Sequence, residues 1–224
     1  MISNTRTLGL AFGVFAIGLG GCVTAKLEDT KQATTGISSG ESIVVMPKSY
    51  HLGNETERSF TECIGKQLAK GSTGLSVMPN EQFVDSLFPW FEPRTAPTDT
   101  KGLPKLMQRP GVAERIAETG VRYIVWLDGT TDRTGGGGSM SCAAGPGGGG
   151  CFGFAWWETD ANYEASVWDL KRLENAGSVK ADVSGTSYMP AIVIPIPLIA
   201  RTQTAACTNL ADSLQAFITG EEST

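Results

Sequence analysis

From Ser42 onward the chain alternates between stretches with the two-residue period of strands and stretches with the 3.6-residue period of helices. Ser42-Ile43-Val44-Val45-Met46-Pro47 is a continuous apolar run closed by proline, the mark of a buried strand. Phe60, Cys63, Ile64 and Leu68 then fall on one helical face. Asn54 and Glu57 resemble a capping box ahead of that helix, and Gly71 stops it. Leu75-Ser76-Val77-Met78-Pro79 repeats the strand-then-proline ending, and Asn80 is suited to cap a short helix carrying Phe83, Val84 and Leu87. Five prolines between Pro89 and Pro110 predict a mostly irregular stretch. A third helix follows from about Pro110 to Thr119, with Gly120 as its stop.

The second half reads differently. Val121–Asp128 is rich in β-branched and aromatic residues and suits a central strand buried on both faces. Phe152–Glu158, Asn162–Leu170 and Ser178–Tyr188 predict an antiparallel meander with a turn over Lys171–Gly177. In the last of these, Val179, Ala181 and Val183 alternate with Lys180, Asp182 and Ser184. A closing helix over Gln203–Ile218 carries Cys207, Leu210, Leu214 and Phe217 as its stripe. The fold class is therefore α/β (α+β): a mixed sheet, with an antiparallel meander in its second half and helices packed on it. Residues 42–220 form one domain of ordinary size, with a glycine-rich, disulfide-closed loop over about 129–152.

Ahead of that domain the pattern breaks. Arg6 is the only charged side chain before Cys22. Leu8–Leu19 is uncharged and mostly apolar, and Leu19-Gly20-Gly21-Cys22 closes it with small residues. Twelve residues of helix cover roughly 18 Å, short of a bilayer core of ~30 Å, so this is an export leader and no transmembrane helix. Leu19-Gly20-Gly21-Cys22 resembles the lipobox of bacterial lipoproteins. That resemblance implies a signal peptide over residues 1–21, cleavage before Cys22, and acylation of the Cys22 thiol. Val23 in place of an aspartate after the cysteine implies the outer membrane. Residues 22–41 are polar and small, and are expected to form a lipidated tether with a random-coil reach of about 25 Å.

Composition narrows the chemistry. There are 18 Lys plus Arg against 23 Asp plus Glu, and no cationic cluster, which disfavours nucleic acid as a partner. A single histidine, His51, excludes His-pair and His-triad metal centres, and nothing calls for a cofactor or metal. Besides Cys22 there are four cysteines, an even number in an exported chain, which points to disulfides with three possible pairings. Cys142 and Cys151 bracket the glycine-rich loop. Cys63 and Cys207 each lie on a predicted helix, and these two helices are expected to share one face of the sheet. The favoured pairing is therefore Cys63–Cys207 with Cys142–Cys151.

The order of elements over Ser42–Asp128, with the last helix, is similar to the periplasmic α/β module of the TolB amino-terminal domain. It is also similar to that of peptidoglycan-synthase-activating lipoproteins and the curli-secretion lipoprotein. The resemblance implies a non-enzymatic accessory component of a cell-envelope complex, facing the periplasm from the outer membrane. Its expected partners are the membrane, through the amino-terminal lipid, and an envelope protein or peptidoglycan. A structural subunit of an envelope assembly or export complex is the first alternative, and a cell-wall glycan hydrolase the second.

Three features are candidates for function. Gly135–Gly138 and Gly147–Gly150 lack the Lys-Ser/Thr pair and following helix of a phosphate-binding loop. They are expected to form a floppy hairpin tip held by Cys142–Cys151. Phe152, Phe154, Trp156 and Trp157 are candidate partner-binding residues, although aromatic residues of a meander are more often core. Ala191–Ala200 is apolar and interrupted by two prolines, and is expected to be a buried crossover. For hydrolysis, Asp128, Asp132, Glu158, Asp160, Glu164 and Asp169 offer carboxylates at spacings that solvated strand faces also produce.

Overall fold

The computed structural model describes residues 22–48, 56–70, 74–92, 94–97 and 101–220. The leader, His51, Asn54 and Gly71 lie outside these residues. Six strands form one mixed sheet in the order β1-β6-β5-β4-β2-β3. β2 (Ser42–Pro47) runs parallel to both β3 (Val77–Met78) and β4 (Val121–Gly145). β5 (Gly148–Asp169), β6 (Glu174–Pro195) and β1 (Cys22–Lys31) continue the sheet antiparallel.

Both faces of the central strands are covered, as expected for Val121–Asp128. Tyr123, Val125 and Leu127 face a layer of two helices, α1 (Arg58–Leu68) and α5 (Thr202–Thr219). Phe60, Ile64 and Leu68 of α1 join Leu210, Leu214 and Phe217 of α5 in that core. Ile124 and Trp126 face the opposite layer, made of α2 (Asn80–Ser86), α3 (Gly102–Met107) and α4 (Val112–Thr119). Period-two burial on the strands and 3.6-residue burial on the helices thus meet in two cores. Cys63 of α1 and Cys207 of α5 are joined by a disulfide across 6.3 Å between Cα atoms, so the two helices do share a face.

Several expectations are corrected. Residues 22–31 are not part of a random-coil tether: β1 pairs with β6 along its whole length, from Cys22↔Thr186 to Lys31↔Gly177. Backbone pairing to an otherwise open sheet edge outweighs the weak propensity of this polar segment. Thr35 then donates to the Phe217 carbonyl and so ties the following residues to α5. The strand at Leu75–Pro79 shortens to Val77–Met78, α2 starts at Asn80 with Pro79 as its cap, and α3 interrupts the proline-rich stretch. The third helix starts at Val112, after Gly111 in the left-handed region at φ 79°. Phe152–Glu158 and the expected Asn162–Leu170 strand are one uninterrupted strand, β5, which ends at Asp169.

The largest correction concerns the glycines. β4 and β5 continue as an antiparallel ladder, with one register shift between Arg133 and Gly135, to Gly145↔Gly148 and turn only at Pro146-Gly147, so residues 129–152 form no floppy loop. Gly138 and Gly153 make the ladder possible. Both have positive φ (114° and 152°), and a Cβ there would lie 2.2 Å from the Phe154 carbonyl oxygen and 2.3 Å from that of Ser139. No other residue fits such an approach.

Candidate functional site: an uncharged three-stranded arm

Beyond Thr131 the sheet leaves its helices behind. Gly135–Gly145 of β4, Gly148–Trp157 of β5 and Ser187–Pro195 of β6 form an arm. Each segment is about nine to eleven residues, or roughly 30–35 Å at ~3.3 Å per residue. No charged side chain occurs from Thr134 to Trp157 or from Val183 to Ala200. The chain after β6 folds back along the outer edge of the arm: Leu198 and Tyr188 exchange backbone hydrogen bonds of 2.7 and 2.9 Å, and Ile196 N donates to the Pro190 carbonyl. The outer edge of β4 beyond Leu127 pairs with no strand among the described residues.

The register sorts the side chains. Phe152, Phe154 and Trp156 share one face with Tyr188, Pro190 and Ile192, while Trp157, Ala155, Met140 and Met189 lie on the other. Phe154 and Tyr188 rings approach to 6.0 Å. The sequence separates Trp157 from the other three aromatics, and the register does the same. Burial fails for two of them, Phe152 at 75% and Phe154 at 47% exposed, because no helix among the described residues covers the arm, while Trp156 and Trp157 are half-buried. The crossover expected to be buried at Ala191–Ala200 is likewise corrected, since Ile192 is 80% exposed and Val193, Ile194, Ile196 and Ile199 are all open to solvent. Only Ala191 and Ala200 are buried in it.

What orders the arm is backbone pairing and local cover. Trp156 lies over Gly137, and Trp157 over Gly136 with the Arg133 guanidinium 5.4 Å from its ring. Aromatic side chains thus fill the space that the glycines leave. Cys142 and Cys151 are direct cross-strand partners, disulfide-bonded with Cα atoms 4.0 Å apart near the tip.

The root of the arm is fixed from one side by a polar cluster. The Tyr163 hydroxyl donates to Glu57 Oε2 at 2.8 Å, shares a 2.7 Å hydrogen bond with Thr131 Oγ1, and accepts from Gln203 Nε2 at 3.3 Å. Glu57 Oε1 accepts from the Thr131 backbone N–H, and Phe60 stacks on the Tyr163 ring. Burial, with the Glu57 carboxylate nearby, pushes the Tyr163 phenol up to about 12. Nothing in the sequence marks this cluster, because its four members come from four distant segments.

Cys22 lies beyond this cluster, level with the start of the arm at Gly135. It is the first residue of β1, exposed, and its register runs through Thr186 and Glu158 to Gly135. The sulfur-bearing residue therefore stands where the charge-bearing part of the sheet ends and the uncharged arm begins. The carboxylates considered for hydrolysis are spread along the sheet. Asp132 and Asp160 face each other, and Glu158 lies opposite Gly135. Asp128 pairs with Lys48 at 3.1 Å and Glu164 with Lys180 at 3.4 Å. Asp169, at the far end, is buried and binds Arg122 at 2.6 Å, a structural role.

Neither a protein-family model nor a curated protein matches the sequence. Among solved structures, the chain is similar to the PelC dodecamer from Paraburkholderia phytofirmans, with 11% identity and a TM-score of 0.42, over 88% of this chain and 98% of that one. A variant of the same protein in a second crystal form gives the same identity and TM-score over 99% of its chain.

Proposed function

We propose that this chain is a non-enzymatic outer-membrane lipoprotein, acylated on Cys22, and a structural subunit of a cell-envelope assembly whose arm enters the lipid layer. The observation that carries this reading is the shared level of Cys22 and the arm root. Acyl chains on Cys22 would run alongside the arm, and each buried methylene contributes about 0.8 kcal/mol to holding the arm root at the bilayer surface. Strand segments of about nine to eleven residues match the length that spans a bilayer core. Trp156, Trp157 and Tyr188 near the root suit the membrane–water interface, where aromatic side chains with a polar edge concentrate.

The open edge of β4 makes the oligomer part of the same proposal. Hydrocarbon does not tolerate unpaired backbone N–H and C=O groups, so a single arm with a free edge is not a stable insert. Several copies, arm beside arm, would satisfy those groups, which favours a structural subunit over a monomeric accessory binder.

The test separates the arm from the lipid anchor. Cys22→Ser, exported on an ordinary cleavable signal, should stay with outer membranes through a urea wash. Adding Phe154→Arg and Ile192→Arg should release it. Release of the Cys22→Ser protein with its arm intact would refute insertion and leave a lipid-tethered periplasmic domain.

A further inference from the structure

On the face of the sheet away from α1 and α5, a cavity of about 510 Å³ opens where β2 and β3 end and α2 begins. Ligands of open α/β sheets bind beyond the carboxyl ends of parallel strands, and the parallel strands β3 and β2 end here while β4 runs on past them. The volume is that of an ordinary small-molecule site. Its apolar wall is Trp126, Trp168, Phe91, Met46 and Val84, with the two indoles 5.4 Å apart and inclined at 53°. Trp126 is also unusual in itself: it is 7% exposed and its indole N–H has no hydrogen-bond acceptor among the described residues, which costs about 1–3 kcal/mol in a structure with no use for it.

The polar wall has one sign. Glu81, Asp85, Glu92, Asp128 and Glu164 line the cavity, against Lys48 alone. Lys48 is on Asp128, Arg58 reaches Glu81 at 2.7 Å and Lys180 reaches Glu164 at 3.4 Å, all from the surrounding elements. Asp85 and Glu92 form no ion pair with any described residue. Two surplus carboxylates and two indoles lining one cavity both favour a cation, by charge and by the ring quadrupole. From this geometry we infer that the cavity is a binding site for an organic ammonium ligand: a primary amine on a ring-shaped body that also carries an oxygen, the acceptor that the Trp126 N–H lacks. The site belongs to the helix-covered part of the sheet and is independent of what the arm does.

Calorimetric titration of the purified full-length protein with 4-hydroxycyclohexylammonium, the neutral alcohol cyclohexane-1,4-diol and 4-hydroxycyclohexanecarboxylate, corrected for detergent alone, tests the site. The ammonium should bind at least tenfold more tightly than the alcohol, and the carboxylate should not compete. Asp85→Asn with Glu92→Gln, both away from the core, should erase the preference while leaving the alcohol unchanged. Equal binding of alcohol and ammonium, or binding of neither, overturns the inference. Displacement of 4-hydroxycyclohexylammonium by glucosamine would assign an amino sugar as the natural source, and displacement by lysinamide a basic peptide.

Discussion

The body and the arm of this molecule share three strands and almost nothing else. In the body, each strand residue alternates between two cores, so that Tyr123, Val125 and Leu127 meet one helical layer while Ile124 and Trp126 meet the other. In the arm, the same ladder continues, but Phe152, Phe154 and Ile192 meet solvent. The body is folded by burial. The arm is ordered by backbone pairing, by indoles laid over glycines and by one cross-strand disulfide. Regular secondary structure without burial does not ordinarily persist in water, since hydrogen bonds to the chain are worth little more than hydrogen bonds to solvent. On the proposed function, the arm is the part built for surroundings other than water.

The sharpest break of this comparison is in the body. Cys63–Cys207 closes a loop with a sequence separation of 144 between the two helices of one core. Replacing both by alanine should lower the stability of the body by as much as about 5 kcal/mol, the chain-entropy limit for so long a loop. Denaturant midpoints followed by the near-ultraviolet signal of the core aromatics would measure it. An unchanged midpoint would mean that the core of α1 and α5 holds without the link.

The next effect runs the other way, through the arm. Phe154→Arg should leave the denaturant midpoint within experimental error, because the side chain is exposed and packs on little besides Tyr188. Partition into lipid should fall by about 2–4 kcal/mol, the cost of a cation on a lipid-facing strand near mid-bilayer. Flotation with vesicles made from outer-membrane lipids reads this directly. A fall in the midpoint without loss of flotation would invert the assignment of the two regions.

How far the sequence predicts each region follows from the same contrast. The elements whose side chains repeat with one period, β2, α1, the first part of β4 and α5, are legible, as is the pairing of Cys63 with Cys207 that follows from two helices on one face. Burial writes those patterns. The arm is not legible as a ladder, because glycine and serine carry no period and because its order depends on partners across the strand. Gly138 and Gly153 look like loop residues in sequence and are strand residues in space. β1 is hidden for a related reason: its residues are exposed on both faces, so edge pairing leaves no apolar trace. The aromatic residues of the site are recognisable individually, but the level of Cys22 with the arm root depends on register across four strands. The cavity is illegible too, since its lining comes from β2, α2, the proline-rich stretch, β4 and β5.

A smaller effect sits at the boundary between the regions. Tyr163→Phe removes the hydroxyl that joins Glu57, Thr131 and Gln203 at the root, and should cost about 1.5–3 kcal/mol at neutral pH, as expected for a buried hydrogen bond to a charged group. The phenol of the folded chain is held up near 12, whereas an unfolded tyrosine loses its proton near its ordinary value of 10. The folded-state value is the higher one, so the stabilisation is complete below pH 10 and disappears as the pH climbs from 10 toward 12. The difference between wild type and variant should therefore shrink across that window and stay level between pH 7 and 9. A difference that stays constant up to pH 12 would show that the phenol is not shielded as the cluster requires.

The smallest effect on global stability tells most about the arm. Cys142 and Cys151 are nine residues apart in sequence and close a ring at the end of an unburied ladder. In the chain-entropy account that ring contributes at most about 2.7 kcal/mol, and only to whatever unit unfolds when it opens. If the arm opens independently of the body, Cys142→Ser with Cys151→Ser should leave the denaturant midpoint of the core unchanged. Amide exchange should then accelerate by up to roughly a hundredfold in Gly136–Phe154, where local opening sets the rate. It should not change in Val121–Leu127, on the same strand but between the two helical layers. Acceleration in both segments would mean that β4 and β5 open as single units from body to tip, and that the helix layers and the ladder share one cooperative transition. Acceleration confined to the arm would make it a separate folding unit, stapled at its tip, clamped at its root and free to exchange water for lipid without disturbing the domain that carries it.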